Sequence, residues 1–126
     1  MNRLAWLLFL FVASCSSTTQ RANFKAVYGD PSADTIEVTV GNGFLFQGTY
    51  HLPKESRLGL LVDVARVSPT AKDLRDGVGG NPVPCQVRSA NKKYRAVASI
   101  EEMEKQSFRD LVLNEGDEVA FIVWNF

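Results

Sequence analysis

Val119-Ala120-Phe121-Ile122-Val123-Trp124 is the stretch whose character decides the fold. Val119, Phe121 and Val123 project to one side of an extended chain, and Ala120, Ile122 and Trp124 to the other. All are apolar. A strand that is apolar on both faces is covered on both sides or lies in the middle of its sheet. Asn114-Glu115-Gly116-Asp117 just before it is a turn, which Asp117 is expected to cap. A late strand is therefore expected at the centre of a sheet whose other strands come earlier in the chain.

Those earlier strands follow from the alternation. Ile36, Val38 and Val40 alternate with Glu37 and Thr39, the period of a half-buried strand. Gly41-Asn42-Gly43 is a hairpin signal. Phe44 to Leu52 is the expected return strand, with Gly48 as a bulge or bend and Pro53 as its end. Ser56 is the expected cap of a helix in which Leu58, Leu61, Val62 and Ala65 share one face; Gly59 weakens it, and Pro69 stops it by Ser68. Lys72 to Asn81 is a polar, Gly-rich loop. Val83, Cys85 and Val87 then mark a third strand, Ala90–Lys93 a turn, Tyr94–Ile100 a fourth strand, and Glu101–Arg109 a charged connection with a short helix. The order is ββ-α-ββ-(short α)-β. This predicts an α+β fold, a small mixed sheet with one helix packed on a face, in the order of a β-grasp.

Upstream, Arg3 precedes an apolar run of ten residues, Leu4 to Ala13. A membrane-spanning helix needs about 20 such residues, whereas about ten suits the hydrophobic region of a signal peptide. Val12-Ala13-Ser14-Cys15 resembles the lipobox of bacterial lipoproteins. That resemblance implies cleavage before Cys15, with diacylglycerol on its thiol and acylation of the new amino terminus. Ser16, rather than Asp, implies the outer membrane. Ser16–Gln20 is a small polar run that reads as a tether, and Asn23–Tyr28 is a segment that can dock on the domain. The expected organisation is a signal peptide at 1–14, a lipidated Cys15 and tether over 15–34, and a β-grasp domain over 35–126.

Composition narrows the function. Fourteen Lys/Arg balance fourteen Asp/Glu, so the formal net charge is zero, without the long-range attraction of a typical nucleic-acid binder. Hydrophobic residues make up 45% and charged residues 22%, a globular balance. Of the two cysteines, Cys15 is the expected lipidation site, which leaves Cys85 without a disulfide partner; it is expected as a buried small hydrophobe.

The segment after the tether resembles SLBB domains, the soluble-ligand-binding β-grasp units of bacterial polysaccharide-export proteins. The resemblance runs through Ile36-Glu37-Val38-Thr39-Val40-Gly41, Gly48-Thr49-Tyr50-His51-Leu52, the helix Arg57–Ala65 and Leu113-Asn114-Glu115-Gly116-Asp117-Glu118-Val119. Two departures stand out: Gln47 replaces a common Pro, and Ala65-Arg66-Val67 replaces a common Ala-Gly-Gly after the helix. The export proteins carry a larger domain ahead of this unit, where this chain has a tether, so it is expected to be an accessory rather than a channel subunit. The resemblance implies a non-enzymatic, lipid-anchored binding module of the cell envelope with a glycan or envelope-protein partner. A purely structural lipoprotein is the alternative.

Other chemistry is thinly represented. His51 is the sole histidine, with Thr49 on the same strand face as the nearest hydroxyl; a hydrolase would need an Asp to join them, and no Gly-x-Ser-x-Gly elbow is present. A surface or edge-strand role for His51 is expected instead. One His and one further Cys do not make a metal site, and no cofactor is expected. Asp76-Gly77-Val78-Gly79-Gly80 lacks the Lys-Ser/Thr of a phosphate loop, yet the backbone amides of Gly77, Gly79 and Gly80 are the candidate ligand contacts. Glu101, Glu102, Glu104 and Lys105 read as a solvated face, as do Arg57 and Arg66 beside the helix. Trp124 and Phe126 are expected in the core or against a partner.

Overall fold

A computed structural model describes residues 26–76 and 80–122. Cys15, Gly77, Gly79, Trp124 and Phe126, singled out above, lie outside the described residues. The strands are β1 (Ala26–Tyr28), β2 (Thr35–Val40), β3 (Gly48–Pro53), β4 (Cys85–Arg88), β5 (Tyr94–Ala98) and β6 (Glu118–Ala120). The helices are α1 (Leu58–Ala65) and the single turn α2 (Gln106–Arg109), with 3₁₀ turns at Ala71–Asp73 and Glu102–Glu104. The strands form one mixed six-stranded sheet in the order β1-β3-β2-β6-β4-β5, making this a small α+β domain.

β6 occupies the centre. It runs parallel to β2, with Thr39 opposite Glu118 and Val40 opposite Val119, and antiparallel to β4, with Val87 opposite Val119. Val119, Ala120 and Phe121 are buried. The strand is shorter than its apolar run, because Phe121 and Ile122 bend away after Ala120. Ile36, Val38 and Val40 of β2, Tyr50 and Leu52 of β3, and Cys85 and Val87 of β4 face one core with Leu58, Leu61 and Ala65 of α1. Each fully buried Leu contributes about 1.5–3 kcal/mol.

Several local expectations are corrected. β3 begins at Gly48, not at Phe44, because Val40 pairs with Gly48 and leaves residues 41–47 as a loop. That loop is pinned by burial: Phe44 bridges Val67, and its ring lies 5.4 Å from that of Phe121. Gly48 is the first strand residue rather than an internal bulge. Its φ of 144° and the lack of a side chain admit the Ala26 carbonyl, which would lie 2.1 Å from a Cβ. This close approach lets β1 pair in parallel with β3. The sheet therefore takes in Ala26–Tyr28, ahead of the expected domain start at Thr35 and within the span assigned to the tether.

Ser56 does not cap α1. Arg57 occupies the cap position without a side-chain bond, and the Ser56 hydroxyl donates to the Pro53 carbonyl at 2.6 Å. The Leu58 amide donates instead to the Leu111 carbonyl at 2.8 Å. The helix ends at Ala65, three residues before Ser68. Arg66 turns to φ 60°, and the amides of Leu45 and Phe46 donate to the Arg66 and Ala65 carbonyls at 2.7 and 3.1 Å. The loop thus satisfies carbonyls that a helix end leaves open.

Candidate functional site

Of the concave surfaces among the described residues, two lie toward opposite ends of the strand order. The first, of about 250 Å³, has an apolar floor with a charged and hydroxyl-bearing rim and sits at the base of the Gly-rich loop. Lys72 and Arg75 line it from the Ala71–Asp73 turn and its exit, Pro82 and Val83 from the approach to β4, and Ser99 and Glu101 from the end of β5. Arg75 is fixed by donating to the Lys72 and Leu74 carbonyls at 2.7 and 3.1 Å. Ser99 and Glu102 form a reciprocal capping box: the Glu102 amide donates to the Ser99 hydroxyl at 3.2 Å, and the Ser99 amide to the Glu102 carboxylate at 3.0 Å. The bond from the Ser99 amide, together with that to its side chain, holds the Glu102 carboxyl below the ordinary range. Cations, a hydroxyl and a carboxylate on an ordered rim suit a polyhydroxylated or anionic ligand.

The Gly-rich loop does not offer its amide at Gly80. That N–H donates to the Asp76 carboxylate at 3.1 Å, and the Asp76 amide donates to the Asn81 carbonyl at 2.9 Å. The loop base closes on itself, so this backbone amide is already engaged within the loop. The Ser99-Ile100-Glu101-Glu102 spacing could have revealed this capping box, where the sequence reading gave only a solvated face.

The second surface is an apolar groove of about 410 Å³, lined by Tyr28, Gly29, Phe46, Tyr50, His51, Leu52 and Val64. The rings of Tyr28 and Tyr50 stack at 4.5 Å between centroids. The Tyr50 hydroxyl donates to the Phe46 carbonyl at 2.6 Å, which fixes one wall. Burial, and to a lesser extent Tyr28, pushes the Tyr50 hydroxyl up to about 12. The sequence did not point to this groove, because Tyr28, Phe46 and Val64 come from an edge strand, a loop and a helix.

His51 belongs to β3, which is flanked by β1 and β2, so it is not on an edge strand. Its cross-strand partner is Glu37, and Thr49 lies two residues along the same strand. No hydrogen bond joins these three among the described residues. Cys85 is fully buried, and desolvation pushes its thiol up to about 12. Among the described residues, no group of three or more His, Cys, Asp or Glu gathers in a metal-holding arrangement, and no helix is long and apolar enough to cross a membrane.

Asp117 does more than cap a turn. It is fully buried; one carboxylate oxygen accepts the Asn114 amide at 2.8 Å and pairs with Arg95, which also donates to the Val112 carbonyl at 3.0 Å. Its other oxygen is buried without a partner. Next to it, Glu118 binds Arg88 at 3.0 Å and Lys92 at 2.9 Å. Burial raises the Glu118 carboxyl, but the two cations outweigh it and hold the group below its ordinary value. Glu101, Glu102, Glu104 and Lys105 are exposed, as are Arg57 and Arg66.

Comparison with protein-family models, curated proteins and solved structures finds no match for this chain.

Proposed function

We propose that the chain is a lipid-anchored, non-enzymatic binding module of the bacterial cell envelope, built on an SLBB-like β-grasp and accessory to polysaccharide export. The carrying observation is the position of β6. Without the edge strand β1, the order is β3-β2-β6-β4-β5: a hairpin, a late strand parallel to the hairpin's first strand, and a second hairpin. That arrangement, with α1 on the core face, supports the β-grasp reading. Arg3, the apolar run and Val12-Ala13-Ser14-Cys15 support export and acylation at Cys15, with the outer membrane as destination.

The cleft with the charged rim is the proposed ligand site. Lys72 and Arg75 supply charge, and Ser99 and Glu101 supply hydrogen-bonding groups. Acidic polysaccharide presents the complementary groups. The full-length lipidated protein, recovered from membranes, is tested against envelope glycans by co-sedimentation. Retention of an acidic glycan by the native chain, with loss in Lys72→Glu/Arg75→Glu, is the expected result. Equal retention by both proteins overturns the cleft assignment. Recovery of neither glycan nor envelope protein by the native chain favours the purely structural alternative.

A further inference from the structure

The apolar groove carries an inference that rests on the lipid-anchor reading and deepens it. Helix α1 is apolar on two sides. Leu58, Leu61 and Ala65 face the core, while Leu60 and Val64, four residues apart on a flank turned away from it, are 47% and 46% exposed. A helix in water normally turns charge outward along that second stripe. Phe46, 45% exposed, lies in the same groove as Val64 and Tyr28. The result is a continuous apolar surface formed by one helix, one loop and one edge strand, of the kind that marks a contact with a partner or a membrane.

The sequence ahead of β1 bears on what that partner is. Tyr28, a wall of the groove, belongs to β1, and β1 begins at Ala26. Between Cys15 and Ala26 lie only residues 16–25. At about 3.3–3.6 Å per residue, the fully extended span from Cys15 to Ala26 is at most about 40 Å. An anchor at Cys15 therefore holds the groove within reach of the bilayer at every moment, at a high effective concentration of lipid. We propose that the face formed by Tyr28, Phe46, Leu60 and Val64 lies against the bilayer that holds the Cys15 anchor, with the acyl chains of that bilayer as the groove's occupant. The charged-rim cleft, toward the other end of the strand order, then points away from the membrane.

The test uses the full lipidated chain in vesicles of phosphatidylethanolamine and phosphatidylglycerol. Nitroxide labels are placed on Val64→Cys and, in a separate protein, on Val97→Cys, an exposed position of β5. Cys85 is buried and does not compete for label. Collision with lipid-soluble oxygen, relative to a water-soluble nickel chelate, is expected to be several-fold higher at position 64 than at 97. Leu60→Cys repeats the measurement should Val64→Cys fail to fold. Equal ratios at 64 and 97 overturn the orientation. Spin–spin broadening at 64 points to a second copy on the face and overturns it also. Mass spectrometry of the same sample separates the two readings: acylated Cys15 with equal ratios removes the orientation alone, whereas unmodified Cys15 removes the anchor and the orientation together.

Discussion

The β1 end and the β5 end of the sheet secure their strands by different means. At the β1 end the contacts are apolar and depend on shape. Gly48 admits the Ala26 backbone, Tyr28 stacks on Tyr50, and Phe44 fills the loop against Phe121. At the β5 end the contacts are ionic. Arg95 pairs with buried Asp117, and Glu118 draws in Arg88 and Lys92. Shape-based contacts respond to volume and are nearly blind to acid. Charge-based contacts respond to pH and to loss of a partner, because a buried carboxylate left alone is costly. One sheet thus has an end held by shape and an end held by charge, and at the charged end Glu118 is the group whose carboxyl is held below its ordinary value.

The contrast can be broken at four places. Asp117→Ala has the largest expected effect, about 3 kcal/mol of stability, since it strands Arg95 and the Asn114 amide together. Urea denaturation measures it, and a loss below about 1 kcal/mol would remove the ionic account of the β5 end. Gly48→Ala is expected to cost about 2 kcal/mol, because its φ and the Ala26 carbonyl leave no room for a Cβ. Hydrogen exchange should then speed up at residues 26–28 while β4 and β5 keep their protection. Uniform acceleration would show that the two ends do not respond separately.

Glu118→Gln sharpens the pH side of the comparison, at a cost of about 1 kcal/mol at neutral pH. The folded Glu118 carboxyl lies below its ordinary value. Its contribution is therefore full above the unfolded carboxyl range and is lost as pH falls through the folded value. Native stability should decline on that descent, and the variant's curve should be flatter; parallel curves would contradict the assignment. Tyr50→Phe has the smallest expected effect, about 0.5–1 kcal/mol, from the bond to the Phe46 carbonyl. Ultraviolet titration of the native protein should show one tyrosine ionising at about 12 and absent from the variant.

Much of the fold was legible because it is written in short-range patterns. The alternation of Ile36, Val38 and Val40 marked β2, and the two apolar faces of Val119 to Ile122 marked a central strand. Cys85 and Val87 fixed the inner face of β4. What escaped depends on partners far away in sequence. β1 is three residues long and exists because Gly48 accepts it. The start of α1 is completed by the Leu111 carbonyl, so the choice of Ser56 as cap followed the right local rule at a place where a distant group had already met the need. The site was less legible than the fold. The Gly-rich loop drew notice for its backbone amides, yet at Gly80 the nearby Asp76 takes the amide. The apolar groove joins three elements that no local pattern links.

The placement of β6 also sets an order in time. β4 and β5 connect to β2 and β3 through β6 alone, and residue 39 must find residue 118 for the sheet to join. Pairings so distant along the chain form slowly. On a nascent polypeptide the strands on either side of β6 therefore have nothing to join them until residues 118–120 have left the ribosome. Were the chain exported, as the proposed function requires, this late keystone would keep it open for passage and defer closure to the far side.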